Sequence, residues 1–137
     1  MTGIVGGAGR MAARILAVFA LIWLAACETT GVTASGPRVD ASKPVPVALL
    51  VPAGSGEASD QVLAQSLENA ARLAMADLSG VTIDLRVYST GGSAENAAAL
   101  AQQAVNEGAR IILGPVFASE ASAAGAAVRG RNVNVLS

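Results

Sequence analysis

Val45-Pro46-Val47-Ala48-Leu49-Leu50-Val51 is a run without a charge or a polar side chain, closed by Pro52. A parallel strand covered by helices on both faces reads this way, because neither face meets water. Pro46 has no amide hydrogen to donate, so it fits only near the strand's start. Downstream, Ala53-Gly-Ser-Gly-Glu-Ala-Ser59 is a loop, and residues 60–78 have helical periodicity. Leu63, Leu67, Ala71, Ala74 and Leu78 recur at spacings of four, four, three and four. Ser59 or Asp60 is placed to cap that helix, and Ser79-Gly80 stops it.

The same alternation repeats three times. Residues 81–88, Val-Thr-Ile-Asp-Leu-Arg-Val-Tyr, alternate apolar and polar, which predicts a strand with one wetter face at a sheet edge. Thr90-Gly91-Gly92 turns the chain, and Ser93 caps a helix whose inner positions are Ala97, Leu100, Ala101, Ala104 and Val105. Gly108 ends it. Residues 109–114 form a third strand closed by Gly114-Pro115, residues 119–129 an alanine-rich helix, and residues 133–136 a fourth strand. This order predicts an α/β fold: a doubly wound parallel sheet with right-handed crossovers. The chain stops at Ser137, directly on the fourth strand, where an intact lobe would add a covering helix. Residues 45–137 therefore read as a partial lobe of a longer protein.

Upstream, Arg10 and Arg14 precede an uncharged run over residues 15–26 that ends Leu24-Ala25-Ala26-Cys27. Positive residues, a short apolar core and small residues at its end make a secretory signal. The run is too short for a transmembrane helix, which takes ~20 apolar residues. Residues 1–26 are thus read as a signal peptide, with Met1 or Met11 as the start. Residues 27–44, rich in Thr, Ser, Gly and Pro, read as a flexible tether with a reach on the order of 20–25 Å. Ile4-Val-Gly-Gly-Ala-Gly9 imitates a dinucleotide-binding turn, with Glu28 near the position of its ribose-binding acid. That motif counts only between a strand and a helix, and residues 14–26 offer no polar helix face and no turn.

Composition narrows the function. The chain has 137 residues, 53% hydrophobic, 14% charged and 3% aromatic. Without Arg10 and Arg14, seven Lys/Arg face ten Asp/Glu, a charge of −3, so no basic surface for nucleic acid remains. There is no histidine, the usual general base and commonest metal ligand, and the single cysteine cannot form an internal disulfide. No cofactor motif is present: Gly54-Ser55-Gly56 has Ser59 where a dinucleotide fingerprint wants glycine, and no P-loop lysine follows. The parts of an enzyme are missing, and a binding protein is expected.

Leu24-Ala25-Ala26-Cys27 resembles the lipobox of bacterial lipoproteins, in which the cysteine carries the lipid. Val47-Ala-Leu-Leu-Val-Pro52, Asn69-Ala-Ala-Arg-Leu-Ala-Met-Ala-Asp77, Tyr88-Ser-Thr-Gly-Gly-Ser-Ala-Glu-Asn-Ala-Ala98, Glu107-Gly-Ala-Arg-Ile-Ile-Leu-Gly-Pro-Val-Phe117 and Asn134-Val-Leu-Ser137 resemble the type I periplasmic binding proteins, the leucine/isoleucine/valine-binding family. Within that family the wording is most similar to the lipoproteins called penicillin-binding protein activators, which regulate a cell-wall synthase. The resemblance implies two lobes around a ligand cleft, with this chain supplying most of one. Its contact loops would be residues 53–56 and 114–119 and Ser137, making Gly54, Ser55, Gly114, Ser119 and Ser137 the candidate ligand-binding residues. Ser119 either receives an anion such as an α-carboxylate at a helix N-terminus or only caps that helix. Gly54-Ser55-Gly56 is either a contact loop or a plain turn.

Two functions follow as expectations. One is a lipid-anchored periplasmic regulator of a penicillin-binding protein. The other is the receptor of an amino-acid importer, for a small amino-acid-like ligand. Attachment to the outer membrane is favoured over the inner, with Glu28 following the cysteine. Lipidation is directly testable: Cys27→Ser should abolish lipid labelling and leave an unprocessed precursor in the inner membrane. Normal maturation of that variant would rule out the lipobox reading.

Overall fold

The computed structural model describes residues 39–137. The signal peptide, Cys27, the glycine turn near residue 6 and the tether up to residue 38 lie outside the described residues. Seven elements follow in order: β1 (Val45–Val51), α1 (Ala58–Ala76), β2 (Ile83–Ser89), α2 (Ala94–Asn106), β3 (Ile111–Leu113), α3 (Ala118–Ala127) and β4 (Asn134–Leu136). The four strands form one sheet in the order β2-β1-β3-β4, and every pair is parallel.

β1 is central because it has nothing to show to water. Leu49 and Val51 point to one face and pack with Ala64, Leu67 and Ala71 of α1. Ala48 and Leu50 point to the other and pack with Ala97, Ala101 and Ala104 of α2 and Ala124 of α3. Alanines let α2 and α3 lie close against the sheet and each other, and all four are sealed from solvent. Two cross-links tie these helices at their ends: Arg131 Nη2 donates to Asn106 Oδ1 (2.9 Å) and Gln102 Nε2 to the Ala127 carbonyl (3.5 Å). Between α2 and β3, Gly108 takes φ +98°, a left-handed turn that ends the helix without a Cβ penalty.

Several boundaries differ from the sequence reading. α1 begins two residues earlier than expected, with Glu57 as N-cap and no side-chain cap bond, so neither Ser59 nor Asp60 caps it. Its buried face is Ala64, with Leu67 and Ala71 beside it. Ala74 and Leu78 remain exposed and line an apolar concavity of about 280 Å³ with Met75, Ile111, Leu113 and Leu136. The concavity lies between the last turns of α1 and this face of the sheet, where Val47 of β1 and Ile83 and Leu85 of β2 also line it. β3 and β4 are three residues each, shorter than expected, because the parallel ladder closes only where Ile111, Ile112 and Leu113 meet both neighbours.

β2 is the edge strand, as its alternation predicts, but its polar face is not simply wet. Asp84, Arg86 and Tyr88 are half-buried and reach the C-terminus of α2. Arg86 Nη2 pairs with Asp84 Oδ2 at 2.6 Å, and its Nη1 donates to the Glu107 carbonyl at 3.1 Å. The Tyr88 hydroxyl donates to Glu107 Oε2 at 2.7 Å, and Gln103 Nε2 donates to Oε1 at 2.8 Å. Those donors, Tyr88 first, hold the Glu107 carboxyl below its usual 4.5. A carboxyl depressed in the folded state adds stability present above its unfolded value and lost as pH falls through its folded one. Acid titration of stability should therefore show a loss beginning below pH 4.5. Tyr88→Phe, which removes the leading donor, should flatten that acid limb; an unchanged limb would show that Glu107 does not contribute.

Candidate functional site

In a parallel sheet every strand ends at the same edge, so the loops after β1, β2 and β3 gather there. Helices lie on opposite faces of β1, and the crossover changes face between β1 and β3, which makes the crevice above those two strands the general ligand position for such sheets. Gly54, Ser55, Gly114, Ser119 and Ser137 are all at this carboxyl edge.

The loop after β1 rests on the loop after β2. Thr90, fully buried, donates its amide to the Val51 carbonyl at 2.8 Å and its hydroxyl to the same oxygen at 3.2 Å. The Gly91 amide reaches the Ala53 carbonyl at 3.1 Å. Asn96 Nδ2 donates to the Thr90 carbonyl at 3.1 Å, while the Asn96 amide donates to Ser93 Oγ and so caps α2 as expected. A Cβ on Gly92 would meet Ser55 Cβ at 3.3 Å and one on Gly91 the Gly54 carbonyl oxygen at 3.6 Å, so the two loops form one surface. Ser55 Oγ accepts the Glu57 amide at 3.2 Å, which shapes the approach to α1. Thr90 and Asn96, which fix this platform, carry no motif in the sequence beyond their place around Gly91-Gly92.

Gly114 is glycine for a backbone reason of its own. It adopts φ +76°, and a Cβ there would lie 2.6 Å from the Leu50 carbonyl oxygen. Its own amide donates to the Leu136 carbonyl at 2.8 Å. The chain after β3 thus turns directly against β1, and only glycine fits.

Ser119 stands in the first turn of α3, but the N-cap is Phe117 and no side chain caps this helix. The serine is exposed and its hydroxyl makes no hydrogen bond within the described residues, so the reading in which it caps α3 is corrected. The N-termini of α1 and α3, which flank the crevice, both lack a side-chain cap. Their first amides point to the same edge, where free N–H groups attract acceptors. Ser137, exposed, follows β4 at that edge.

One turn beyond Phe117, Glu120 is completely buried, and neither of its carboxylate oxygens has a partner. Sequence reading missed it. Its signal was available: Glu120, Ala124 and Val128 are spaced four apart, a stripe whose other two members are core residues.

The opposite, amino-terminal edge holds a second concavity of about 280 Å³, lined by Asp40, Lys43, Pro46, Gly108 and Arg110. Asp40 is held below its ordinary value there by the Ser42 hydroxyl and amide, at 2.6 and 3.1 Å. Among the described residues no three His, Cys, Asp or Glu side chains form a group able to hold a metal ion, and no helix is long and apolar enough to cross a membrane.

Gly114→Ala tests the seat of the crevice. Left-handed strain together with the backbone clash should cost roughly 2–4 kcal/mol in urea unfolding. A loss below ~1 kcal/mol, within the range of surface changes, would mean the turn relaxes away from β1.

A family model described as periplasmic binding protein matches residues 44–137. No curated protein matches the chain.

Proposed function

From the premise that this chain belongs to the periplasmic binding protein family over residues 44–137, we propose that it is a lipid-anchored binding protein of the bacterial envelope, recognising its target at the carboxyl edge of the sheet. The observation that carries this reading is the carboxyl edge after β1 and β3, where two helix N-termini without side-chain caps stand beside the unbonded Ser119 hydroxyl. In this reading residues 1–26 direct export, Cys27 carries the lipid, and residues 27–44 hold the lobe away from the membrane, with outer-membrane attachment favoured.

The finer reading is regulation of a penicillin-binding protein, in the manner of the activator lipoproteins whose wording the sequence resembles. The second reading is the receptor of an amino-acid importer. Charge at the crevice favours the first. Glu57, Asp60, Glu95 and Glu120 lie in or just before the first turns of the three helices, and no Lys or Arg of the described residues lies at that edge. An amino acid would have to bring its carboxylate into that field, with only backbone amides and Ser119 to receive it.

Calorimetry on the full-length protein against a panel of amino acids, beside a binding assay with purified penicillin-binding proteins, separates the two. In a receptor, Ser119→Ala strands a ligand acceptor and should cost ~1–3 kcal/mol of affinity. In an activator the same change should leave synthase binding nearly untouched, because a broad protein contact does not depend on one exposed hydroxyl. Micromolar amino-acid binding weakened by Ser119→Ala would overturn the activator reading.

A further inference from the structure

β2 stands at one end of the sheet order β2-β1-β3-β4, and among the described residues no strand lies beyond it. Natural sheets blunt such an edge with a very short strand, a proline, a bulge or charges that repel a second edge. β4, at the other end, is three residues long. β2 has seven residues, no proline or glycine, and an unbroken register with β1 from Val45↔Ile83 to Val51↔Ser89.

The free backbone groups of this edge follow from the ladder. The Val45 amide donates to the Thr82 carbonyl, and the Thr90 amide donates to the Val51 carbonyl, each at 2.8 Å. In a parallel ladder a residue directs its N–H and C=O to one side, and successive residues alternate. Thr82, Asp84, Arg86 and Tyr88 therefore serve β1, while Ile83, Leu85 and Val87 present their donors and acceptors outward.

The side chains along that row are self-complementary. Ile83-Asp84-Leu85-Arg86-Val87 is symmetric about Leu85 in its apolar residues and antisymmetric in charge. Laid antiparallel on a second copy with the two Leu85 opposite, Ile83 meets Val87 and Asp84 meets Arg86, each twice by the two-fold axis. The outward-facing residues then fall in hydrogen-bonded pairs. The charged ones fall in the other pairs, where opposed side chains come closest. A slip by two residues, the smallest that keeps the faces, sets Asp84 against Asp84 or Arg86 against Arg86, which repels. The Asp84 and Arg86 side chains are 43% and 40% exposed, and both have capacity left. Arg86 Nε and Nη2 share Asp84 Oδ2 at 3.0 and 2.6 Å, so Oδ1 has no donor among the described residues. Arg86 spends one further N–H on the Glu107 carbonyl, and a guanidinium carries five.

We infer that the β2 edge is a docking surface for a second copy of this chain, joining two sheets through an antiparallel, two-fold β2–β2 ladder. Charge complementarity selects both the partner and the register. The ladder uses none of the loops at the carboxyl edge, so it stands apart from the recognition reading proposed above.

The test is sedimentation equilibrium on the full-length protein in detergent, over a concentration series at low and high salt. A monomer–dimer equilibrium is expected, weakened by salt. Asp84→Arg and Arg86→Asp each set like charges opposite one another and should weaken the dimer tenfold or more. An equimolar mixture of the two variants should restore it as a heterodimer. Restoration on mixing cannot come from repair within a chain, because each chain keeps two like charges on its own strand. Where a reversal lowers the thermal midpoint, the neutral Asp84→Asn and Arg86→Gln should show the same weakening at a few-fold. A monomer at every concentration would overturn the inference, as would a dimer indifferent to both reversals. Weakening by each reversal without restoration on mixing would make the Asp84–Arg86 pair a stabiliser of the single chain and overturn its role at the edge.

Discussion

Leu49 and Leu50 are neighbours on β1 and face opposite layers, each at most 4% exposed. Each such burial is worth about 2 kcal/mol, but the larger consequence is architectural. A strand that must be dry on both faces requires a helix layer on each, and α1 on one side with α2 and α3 on the other meet that demand. Connections that carry a helix from one strand end to the next strand start make the strands parallel. Parallel strands in turn send every loop that follows a strand to one edge. The surface those loops form is therefore a by-product of a dry central strand.

That edge is held by backbone contacts more than by side chains. Thr90 gives two hydrogen bonds to a single carbonyl on β1, and Gly114 comes so close to the same strand that a methyl group would not fit. With the platform fixed this way, exposed groups such as Ser119 are free of structural duty. This is why the absence of a bond from Ser119 is informative: the helix it begins is formed without it, in contrast to Ser93, whose hydroxyl caps α2.

The fold was legible because its signals are local and repeated. The apolar run of β1, the glycine at 108 and Ser93 before α2 each specify one feature, and all agree. Element ends were less legible. Nothing in the sequence marks Glu57 or Phe117 as N-caps, since neither forms a side-chain cap bond, and the ends of β3 depend on partners distant in the chain. The core face of α1 was displaced for a related reason. Leucine spacing pointed to Leu63, but the α1 residue buried with Leu49 and Val51 is a small one, Ala64, which periodicity weighted by size passes over. At the carboxyl edge, the gathering of the loops was legible and the balance of charge among them was not. The loops after the strands follow from topology, while the sign of the field depends on where acids and bases fall in three dimensions.

Glu120 brings these levels together. By spacing it belongs to the core stripe of α3, by type it belongs to the surface, and by position it lies at the only edge where the described acids have no bases among them. An alanine there would match the packing of Ala124 one turn away at no electrostatic cost. The helix dipole supplies some compensation at an N-terminus, worth at most ~2 kcal/mol in partly buried geometries, which falls short of desolvating a carboxylate.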